Sequence, residues 1–255
     1  MYLETLGVLV AFFTIVFIIG QILHDNSIVD IGWGAGFVVS ALYTFWRNPE
    51  AGLKASIITL AVTIWGLRLA IHIAKRNIGK PEDYRYVNMR KRWGDKYVLV
   101  KAFVNVYLLQ CIIQFIVTLP VIYGNTTMQQ ELYWFNIVGI GIWGIGFFFE
   151  AYGDYQLKVF KNNPENKGRL MTTGLWALTR HPNYFGDAAM WFGIFFIAIS
   201  SQNGLWILVG PALMTFFLRY VSGVRLLEKK YANRPDYAAY KKRTNSFLPW
   251  FPKKS

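Results

Sequence analysis

The sequence predicts an all-α integral membrane protein with about seven transmembrane helices, and three observations lead to this fold class. Apolar residues make up 54% of the 255-residue chain and charged residues only 16%, compared with about a quarter charged in ordinary soluble domains. The apolar residues form long runs, and the cationic residues are gathered between those runs. A net charge of +13 favours nucleic-acid binding in a soluble protein, but cations confined to loops are typical of membrane topology. We therefore expect a lipid bilayer, and not nucleic acid, as the partner of this chain.

A helix needs about 20 apolar residues to cross a bilayer. Seven segments approach that length, namely 3–23, 28–46, 52–74, 102–123, 133–153, 185–200 and 204–222. The first is too long for the apolar core of a signal peptide, and no small-residue cleavage site follows it, so we expect it to be retained. Because no repeat, low-complexity segment or long linker interrupts the pattern, residues 1–255 are expected to form a single membrane-embedded domain.

The distribution of lysine and arginine predicts the orientation of the chain. Of the 27 such residues, nine lie in 75–101, five in 158–180 and ten in 219–255. Seven spans place all three segments on one side of the membrane, whereas six spans divide them between both sides. The positive-inside rule then predicts a multi-pass protein with its N-terminus outside and its C-terminus in the cytoplasm.

Ionisable side chains inside apolar spans are costly and usually functional. Five stand out in this chain, namely Asp30, Arg68, Glu150, Asp154 and Asp187. Each alone is also explained by a helix end or by snorkelling, but the set favours a polar cavity among the helices. The glycines of "GWGAG" at 32–36 and of "GIGIWGIG" at 139–146 are expected to let helices pack closely.

The stretch "TRHPNYFGD" at 179–187 places polar residues at the start of an apolar helix. Pro182 favours the first helical turn, and Asn183 is suited to cap it. A helix N-terminus beside Arg180 and His181 predicts an anion site for a phosphate-bearing cofactor. A basic loop that contacts anionic lipid headgroups is the simpler alternative, but it leaves this tight cluster unexplained. With one cysteine and three histidines in the chain, no metal site is expected.

Six motifs carry a family resemblance: "DIGWG", "EDYRY", "GLWALTRHPNYFGD", "SGVRLLEKK", "RPDYAAYKKRT" and "FLPWFP". Over residues 25–253 the chain resembles bacterial membrane proteins related to the C-terminal domain of steroid 5-alpha-reductases. The resemblance implies a location in the bacterial inner membrane and a seven-helix bundle with NADPH held by cytoplasmic loops. The cofactor contacts that it implies are Arg68, Glu150, Asp154, Lys161, Arg169, Arg180, His181, Asn183, Tyr184, Asp187 and Arg225.

The same resemblance suggests where a proton donor lies. Steroid reductases are thought to use a Glu–Tyr pair, whose tyrosine polarises the substrate carbonyl. Asp30 is the candidate for the glutamate, but Trp65 lies where the tyrosine aligns and has no phenolic proton. Tyr43, Tyr84 and Tyr86 are all open candidates for the donor, and Tyr86 is taken with Asp30 as the candidate catalytic pair. The implied activity is an NADPH-dependent reduction of a C=C bond conjugated to a carbonyl, in a small apolar lipid, sterol-like or isoprenoid substrate.

Two other functions stay open. The chain is also similar to isoprenylcysteine carboxyl methyltransferases and phospholipid methyltransferases, which implies S-adenosylmethionine beside His181, Asn183 and Glu228. Those enzymes generally have paired glutamates, whereas Glu228 stands alone here. A non-enzymatic transporter or lipid-binding scaffold is the third possibility, because charges inside the membrane suit it as well.

Overall fold

The computed structural model describes residues 1–50, 52–127, 131–200 and 204–253, and these are mainly helical. Their helices, in chain order, are α1 Tyr2–Ile22, α2 Ile28–Trp46, α3 Leu53–Asn77, α4 Tyr84–Trp93, α5 Val98–Thr126, α6 Trp134–Asn162, α7 Leu175–Leu178, α8 Pro182–Ala198, α9 Val209–Phe216, α10 Val224–Tyr231 and α11 Pro235–Arg243. A π-helical stretch lies within α5 at Phe103–Leu108, and another follows α9 at Phe217–Val221. Within the described ranges, β-type pairing is limited to an isolated bridge between Thr179 and Asn245.

The predicted fold class is confirmed. In the part of the chain that the structure describes, six helical segments are long and apolar enough to cross a membrane: α1, α2, α3, α5, α6 and Leu205–Tyr231. The remaining predicted span, 185–200, falls on α8, which has 17 residues. At 1.5 Å per residue, α8 is about 26 Å long, slightly less than a hydrocarbon core of about 30 Å. The predicted count of seven spans therefore depends on α8.

The chain divides into two compact units. The first contains Met1–Tyr133 and Ala198–Gly210, and the second contains Trp134–Ile197 and Pro211–Ser255. The first unit holds α1 to α5, and the second holds most of the helices from α6 onward. A single membrane-embedded domain stays a prediction.

Glycines bring α2 and α3 together in the first unit. A Cβ atom on Gly34 would lie 2.6 Å from the carbonyl oxygen of Gly66, and one on Gly66 would lie 2.7 Å from that of Gly34. Two helix backbones can approach this closely only where side chains are absent. Close packing at "GWGAG" is therefore confirmed.

Glycines also line the contact between α6 and α8 in the second unit. A Cβ atom on Gly146 would lie 2.6 Å from the Gly186 carbonyl oxygen, and one on Gly139 would lie 2.8 Å from that of Gly193. The Asn136 side chain, near the start of α6, donates to the Phe196 carbonyl at 2.9 Å. This seam fixes how the polar residues of α6 face those at the start of α8.

The start of α4 is defined by its cap. The Asp83 carboxylate accepts from the Arg85 amide at 2.9 Å, which satisfies one of the free amides of the first turn. Gly94, with a φ of +64°, ends the helix in a conformation that costs glycine little. The cap places Tyr86 in the first turn of α4.

Candidate functional site

The first candidate site joins the start of α2 to the start of α4, and we call Asp30, Asp83, Arg85 and Tyr86 the Asp30 cluster. The Tyr86 hydroxyl donates to Asp30 Oδ1 at 2.6 Å. The Arg85 guanidinium donates to Asp30 Oδ2 at 2.6 Å, and its Nε donates to Asp83 Oδ1 at 3.0 Å. Both oxygens of Asp30 are therefore engaged, and the carboxylate fixes the orientation of the phenol.

Burial and charge determine the proton affinity of this cluster. Burial, the negative charge of Asp30 and the hydrogen bond to it raise the pKa of Tyr86 above its ordinary value. Burial tends to raise the pKa of Asp83. The hydrogen bonds from Arg85 and its positive charge lower that pKa by more, so it lies below its ordinary value. At neutral pH Tyr86 therefore keeps its proton, while Asp83 stays a carboxylate.

The alternative tyrosines lie in other surroundings. The Tyr43 hydroxyl donates to Glu4 Oε2 at 3.1 Å, and Tyr84 is 65% exposed. Trp65 is buried and packs against Phe37, with ring centroids 5.2 Å apart. Among the three tyrosines left open by the sequence, Tyr86 is therefore the one that the structure brings to Asp30.

The second candidate site lies in the second unit and is centred on Arg180, whose side chain is 5% exposed. Its Nε donates to Glu228 Oε1 at 3.1 Å, and Nη2 binds the same oxygen. Its Nη1 donates to the carbonyls of Thr244 and Lys241. His181 Nε2 lies 3.8 Å from Glu228 Oε1, and the imidazole stacks on Tyr184 with ring centroids 5.6 Å apart.

Some polar atoms around Arg180 are buried without a hydrogen-bond partner among the described residues. They are Nδ1 of His181 and the Thr244 hydroxyl, while Nε2 of His181 and the Tyr237 hydroxyl face Glu228 without a close hydrogen bond. We call Arg180, His181, Glu228, Tyr237 and Thr244 the Arg180 cluster. Buried polar groups in native proteins nearly always bind a partner, so these atoms indicate a ligand or ordered water.

A basic cavity of about 620 Å³ lies beside α11 in the same unit, and its described lining contains no member of the Arg180 cluster. Its lining consists of Gly168, Arg169, Leu170, Thr172, Asp236, Ala239, Tyr240, Lys242, Arg243 and Lys253. Arg234 stabilises one edge, because its guanidinium donates to the Gly168 carbonyl and to Asp236, each at 2.6 Å. Tyr240 lines the cavity, and its hydroxyl donates to the carbonyl of Trp176, which lies four residues before Arg180 in the sequence. Four cations and one carboxylate suit a ligand that carries phosphate.

Polar residues of α6 and α8 form the neighbouring part of the second unit. Asn183 Nδ2 donates to Asp154 Oδ1 at 3.2 Å, and the ring of Pro182 lies against Gly153. Glu150 and Asp187 are both buried on the same pair of helices. The structure therefore assembles two groups of the predicted residues. One group lies at the contact between α6 and α8, and the other surrounds Arg180.

A family model for a protein of unknown function, DUF1295, matches residues 16–244, which is most of the chain. The chain belongs to the DUF1295 family. This match assigns the family, and it names neither a source nor an activity. It does not extend to the steroid 5-alpha-reductases, so that resemblance stays a prediction.

One curated relative of this DUF1295 protein is described as "Probable O-methyltransferase ustE" of Ustilaginoidea virens. The two are 48% identical over 46 residues, which is 18% of this chain and 16% of the relative. The match therefore covers about one sixth of the length of that relative. No solved structure matches the chain.

The remaining predicted contacts of this DUF1295 protein are more scattered. Arg169 lines the basic cavity, whereas Lys161 and Arg225 are exposed side chains of the second unit. Arg68 is half-buried on α3 and belongs to the first unit. The structure thus assembles most of the loop residues but leaves Lys161 and Arg225 at the surface.

Three residues of the Arg180 surroundings were missed by the sequence analysis. They are Tyr237, Lys241 and Thr244, which follow one another at intervals of four and three residues in "RPDYAAYKKRT". Such spacing places side chains on one helix face, while Arg180 itself is bound by the Lys241 and Thr244 carbonyls at the end of α11. The helical spacing was the available signal, but the sequence did not indicate what the face packs against.

Proposed function

We propose that this protein is a membrane NADPH-dependent reductase of a C=C bond conjugated to a carbonyl, acting on an apolar lipid, sterol-like or isoprenoid substrate. The observation that carries the proposal is the 2.6 Å hydrogen bond between the Tyr86 hydroxyl and Asp30. A phenol oriented by a carboxylate is the arrangement needed to polarise a substrate carbonyl, and neither methyl transfer nor lipid binding requires it.

The Asp30 cluster assigns a role to each of its members. Tyr86 is a hydrogen-bond donor at neutral pH, because a tyrosine is protonated there at its ordinary pKa of 10.0 and the shift is upward. Asp30 holds the hydroxyl, and Arg85 holds Asp30 through the second carboxylate oxygen. To bind a substrate carbonyl, the Tyr86 hydroxyl must give up its hydrogen bond to Asp30 and donate to the substrate oxygen instead. Electrophilic donors of this kind typically contribute about 10²–10³-fold to the rate.

The surroundings of Tyr86 suit an apolar substrate. Tyr86 belongs to a buried apolar cluster that includes Leu9, Phe13 and Val29. A cavity of about 230 Å³ in the same unit is lined by Ile28 and Ile31, among other residues. The lining that the structure describes also includes Asp25, Ser27 and Asn77 and contains neither Asp30 nor Tyr86, so the apolar surroundings of the proposed proton donor rest on the buried cluster.

The second unit supports the cofactor part of the proposal. When bound, NADPH would supply the hydride that reduces the C=C bond. The cations of the basic cavity fit its phosphate groups, and the unsatisfied atoms of His181 and Thr244 fit its polar ribose and amide groups. S-adenosylmethionine has no phosphate, so the cavity favours the dinucleotide.

A methyltransferase is the second candidate, because the relative named as a probable O-methyltransferase favours it. In that case S-adenosylmethionine would lie beside His181, Asn183 and Glu228. Glu228 is already bound to Arg180, however. S-adenosylmethionine also has no phosphate that the cations of the basic cavity could bind.

The test is a titration of the purified protein in nanodiscs with NADPH, NADH and S-adenosylmethionine by calorimetry. We expect NADPH to bind and its affinity to fall as salt rises, since exposed charges are screened. Arg169→Ala should weaken NADPH binding about tenfold, a loss of roughly 1.4 kcal/mol. Arg92→Ala is the matched control, because Arg92 is an exposed arginine of the first unit.

Turnover completes the test, with NADPH oxidation followed in the presence of a long-chain α,β-unsaturated ketone. Tyr86→Phe should lower kcat by about 10²-fold, whereas Tyr84→Phe, at the exposed neighbouring tyrosine, should leave it unchanged. Binding of S-adenosylmethionine without binding of NADPH would overturn the reductase in favour of the methyltransferase. Binding of neither cofactor would favour the transporter or scaffold.

A further inference from the structure

Residues 244–253, which follow α11, are held by hydrogen bonds to another part of the second unit. We call them the C-terminal strap. The Arg180 amide donates to the Asn245 carbonyl at 2.9 Å, and the Trp250 amide donates to the Leu178 carbonyl at 3.0 Å. The Thr179 hydroxyl donates to the Phe247 carbonyl at 2.9 Å. Backbone bonds along its length therefore hold the strap against residues 178–180.

The strap has one buried and one exposed apolar side. Phe247 is 5% exposed and packs with Ala188 and Val224. Its exposed side chains are Leu248, Trp250 and Phe251, at 62%, 69% and 79% exposure. A contiguous group of large apolar residues on an ordered segment indicates an interaction surface.

Contacts within the second unit place the strap near one end of the membrane-spanning helix α6. Trp176, two residues before the strap-binding Leu178, donates from its indole to the Gly153 carbonyl at 3.1 Å. The Leu175 amide donates to Gln156 Oε1 at 3.0 Å. Gly153 and Gln156 belong to the last turns of α6, where the apolar part of the helix gives way to lysines.

An exposed aromatic stack extends from the middle of α6 toward the same end. Phe148 stacks on Tyr152 with ring centroids 5.4 Å apart, and Tyr152 stacks on Tyr155 at 6.0 Å. All three are more than 40% exposed. Tyr152 and Tyr155 lie in the second half of α6, and tyrosines toward the end of a spanning helix are typical of the membrane–water interface.

Charge complements the apolar side of the strap. Residues 235–253 contain the cations Lys241, Lys242, Arg243 and Lys253, and Asp236 is their one acidic residue. Asp236 is itself bound to Arg234, at 2.6 Å. Cations beside exposed aromatics suit the phosphate-bearing anionic headgroups at the surface of a membrane.

We propose that the C-terminal strap is an interfacial anchor, which inserts Leu248, Trp250 and Phe251 at the boundary between headgroups and acyl chains of an anionic bilayer. Its backbone binds Thr179 and Arg180, so anchoring also steadies the Arg180 cluster. Lys242, Arg243 and Lys253 also line the basic cavity, but insertion of the three apolar side chains requires neither NADPH nor S-adenosylmethionine, so the anchor is tested separately from the proposed function.

The experiment measures the depth of a nitroxide on Phe251→Cys in a Cys111→Ala background. Cys111 is the only cysteine of the chain and is buried. Labelling of the protein that lacks the Phe251→Cys substitution therefore gives the background signal. The protein is placed in nanodiscs of phosphatidylcholine, with or without phosphatidylglycerol. Relaxation by oxygen, which partitions into lipid, is compared with relaxation by a water-soluble nickel complex. Lys167→Cys, in an exposed polar turn, is the matched control.

In anionic nanodiscs we expect the label at 251 to be relaxed several-fold more by oxygen than by nickel, and the label at 167 to show the reverse. Equal access of nickel to both sites would overturn the anchor. Equal depth in neutral and anionic lipid would overturn the assignment of anionic headgroups. Protection from nickel that disappears when the protein is diluted into excess nanodiscs would identify a second copy of the chain as the partner and overturn the proposal as well.

Discussion

At the scale of single residues, Arg180 is a buried charge of the second unit with several partners. Its guanidinium is almost completely buried and is held by Glu228 and by two carbonyls at the end of α11. A buried guanidinium without its carboxylate has a large desolvation penalty and no compensating charge. Glu228 is therefore needed for stability even before any ligand is considered.

Replacing Glu228 with alanine tests this dependence. We expect a loss of about 2–3 kcal/mol in the free energy of unfolding, below the ~3–5 kcal/mol typical of a fully buried pair, since the Glu228 side chain is 20% exposed. Asp236→Ala is the control, because it removes an exposed partner of Arg234 and should change stability little. Thermal unfolding in nanodiscs measures both variants, and equal effects would contradict the buried-pair interpretation.

Asp83 predicts a dependence of stability on pH. Its pKa is lowered in the folded protein, so its contribution is fully present above the ordinary carboxyl value of 3.8 and is lost as the pH falls through the lowered value. Asp83→Asn should therefore flatten the decrease in unfolding temperature below about pH 4. Glu131→Gln, at an exposed carboxylate of the first unit, is the control. An unchanged acid limb in Asp83→Asn would show that the ion pair with Arg85 does not act on stability.

At the scale of secondary-structure elements, the contact between α6 and α8 positions half of the predicted cofactor residues. The glycine-rich run at 139–146 indicated close packing, and the structure confirms it for Gly139 and Gly146. Gly141 and Gly144 have no atom within 4 Å of an added Cβ. Composition could not separate the two pairs, because which glycines face α8 depends on the rotation of α6 about its axis.

A pair of alanine substitutions tests this seam. Gly146→Ala should lower stability by about 1–3 kcal/mol, since its Cβ meets backbone atoms of Gly186 and Met190 that cannot move aside. Gly144→Ala should be neutral or stabilising by up to about 1 kcal/mol, because alanine is the better helix former. Unfolding temperatures of both variants decide the matter, and a destabilised Gly144→Ala would argue against this rotation of α6.

At the scale of the whole molecule, the orientation of the chain depends on α8. Four membrane-spanning segments separate Lys80 from Lys241 if α8 crosses the membrane, and three separate them if it does not. The concentration of cations in three segments favours the first arrangement, in which both lysines lie in the cytoplasm. The short length of α8 favours the second.

Labelling of single cysteines distinguishes these arrangements. Lys80→Cys and Lys241→Cys, each in a Cys111→Ala background, should react with a membrane-impermeant maleimide in inverted vesicles and not in intact spheroplasts. Glu131→Cys should show the opposite pattern and serves as the control. Reaction of Lys80→Cys and Lys241→Cys from opposite sides would contradict seven spans and the predicted cytoplasmic C-terminus.

The sequence by itself determined the all-helical membrane class, the spans and the basic segments, because hydropathy and charge are sums over neighbouring residues. It also indicated that polar residues around 150–187 belong together, since helical spacing places them on shared faces. Only the tertiary structure decided that Tyr86, and not Tyr43 or Tyr84, meets Asp30, and that Arg180 is bound to Glu228. These partners are 56 and 48 residues apart, and pairing at such a distance depends on how helices dock and rotate, which no local sum of residue properties contains.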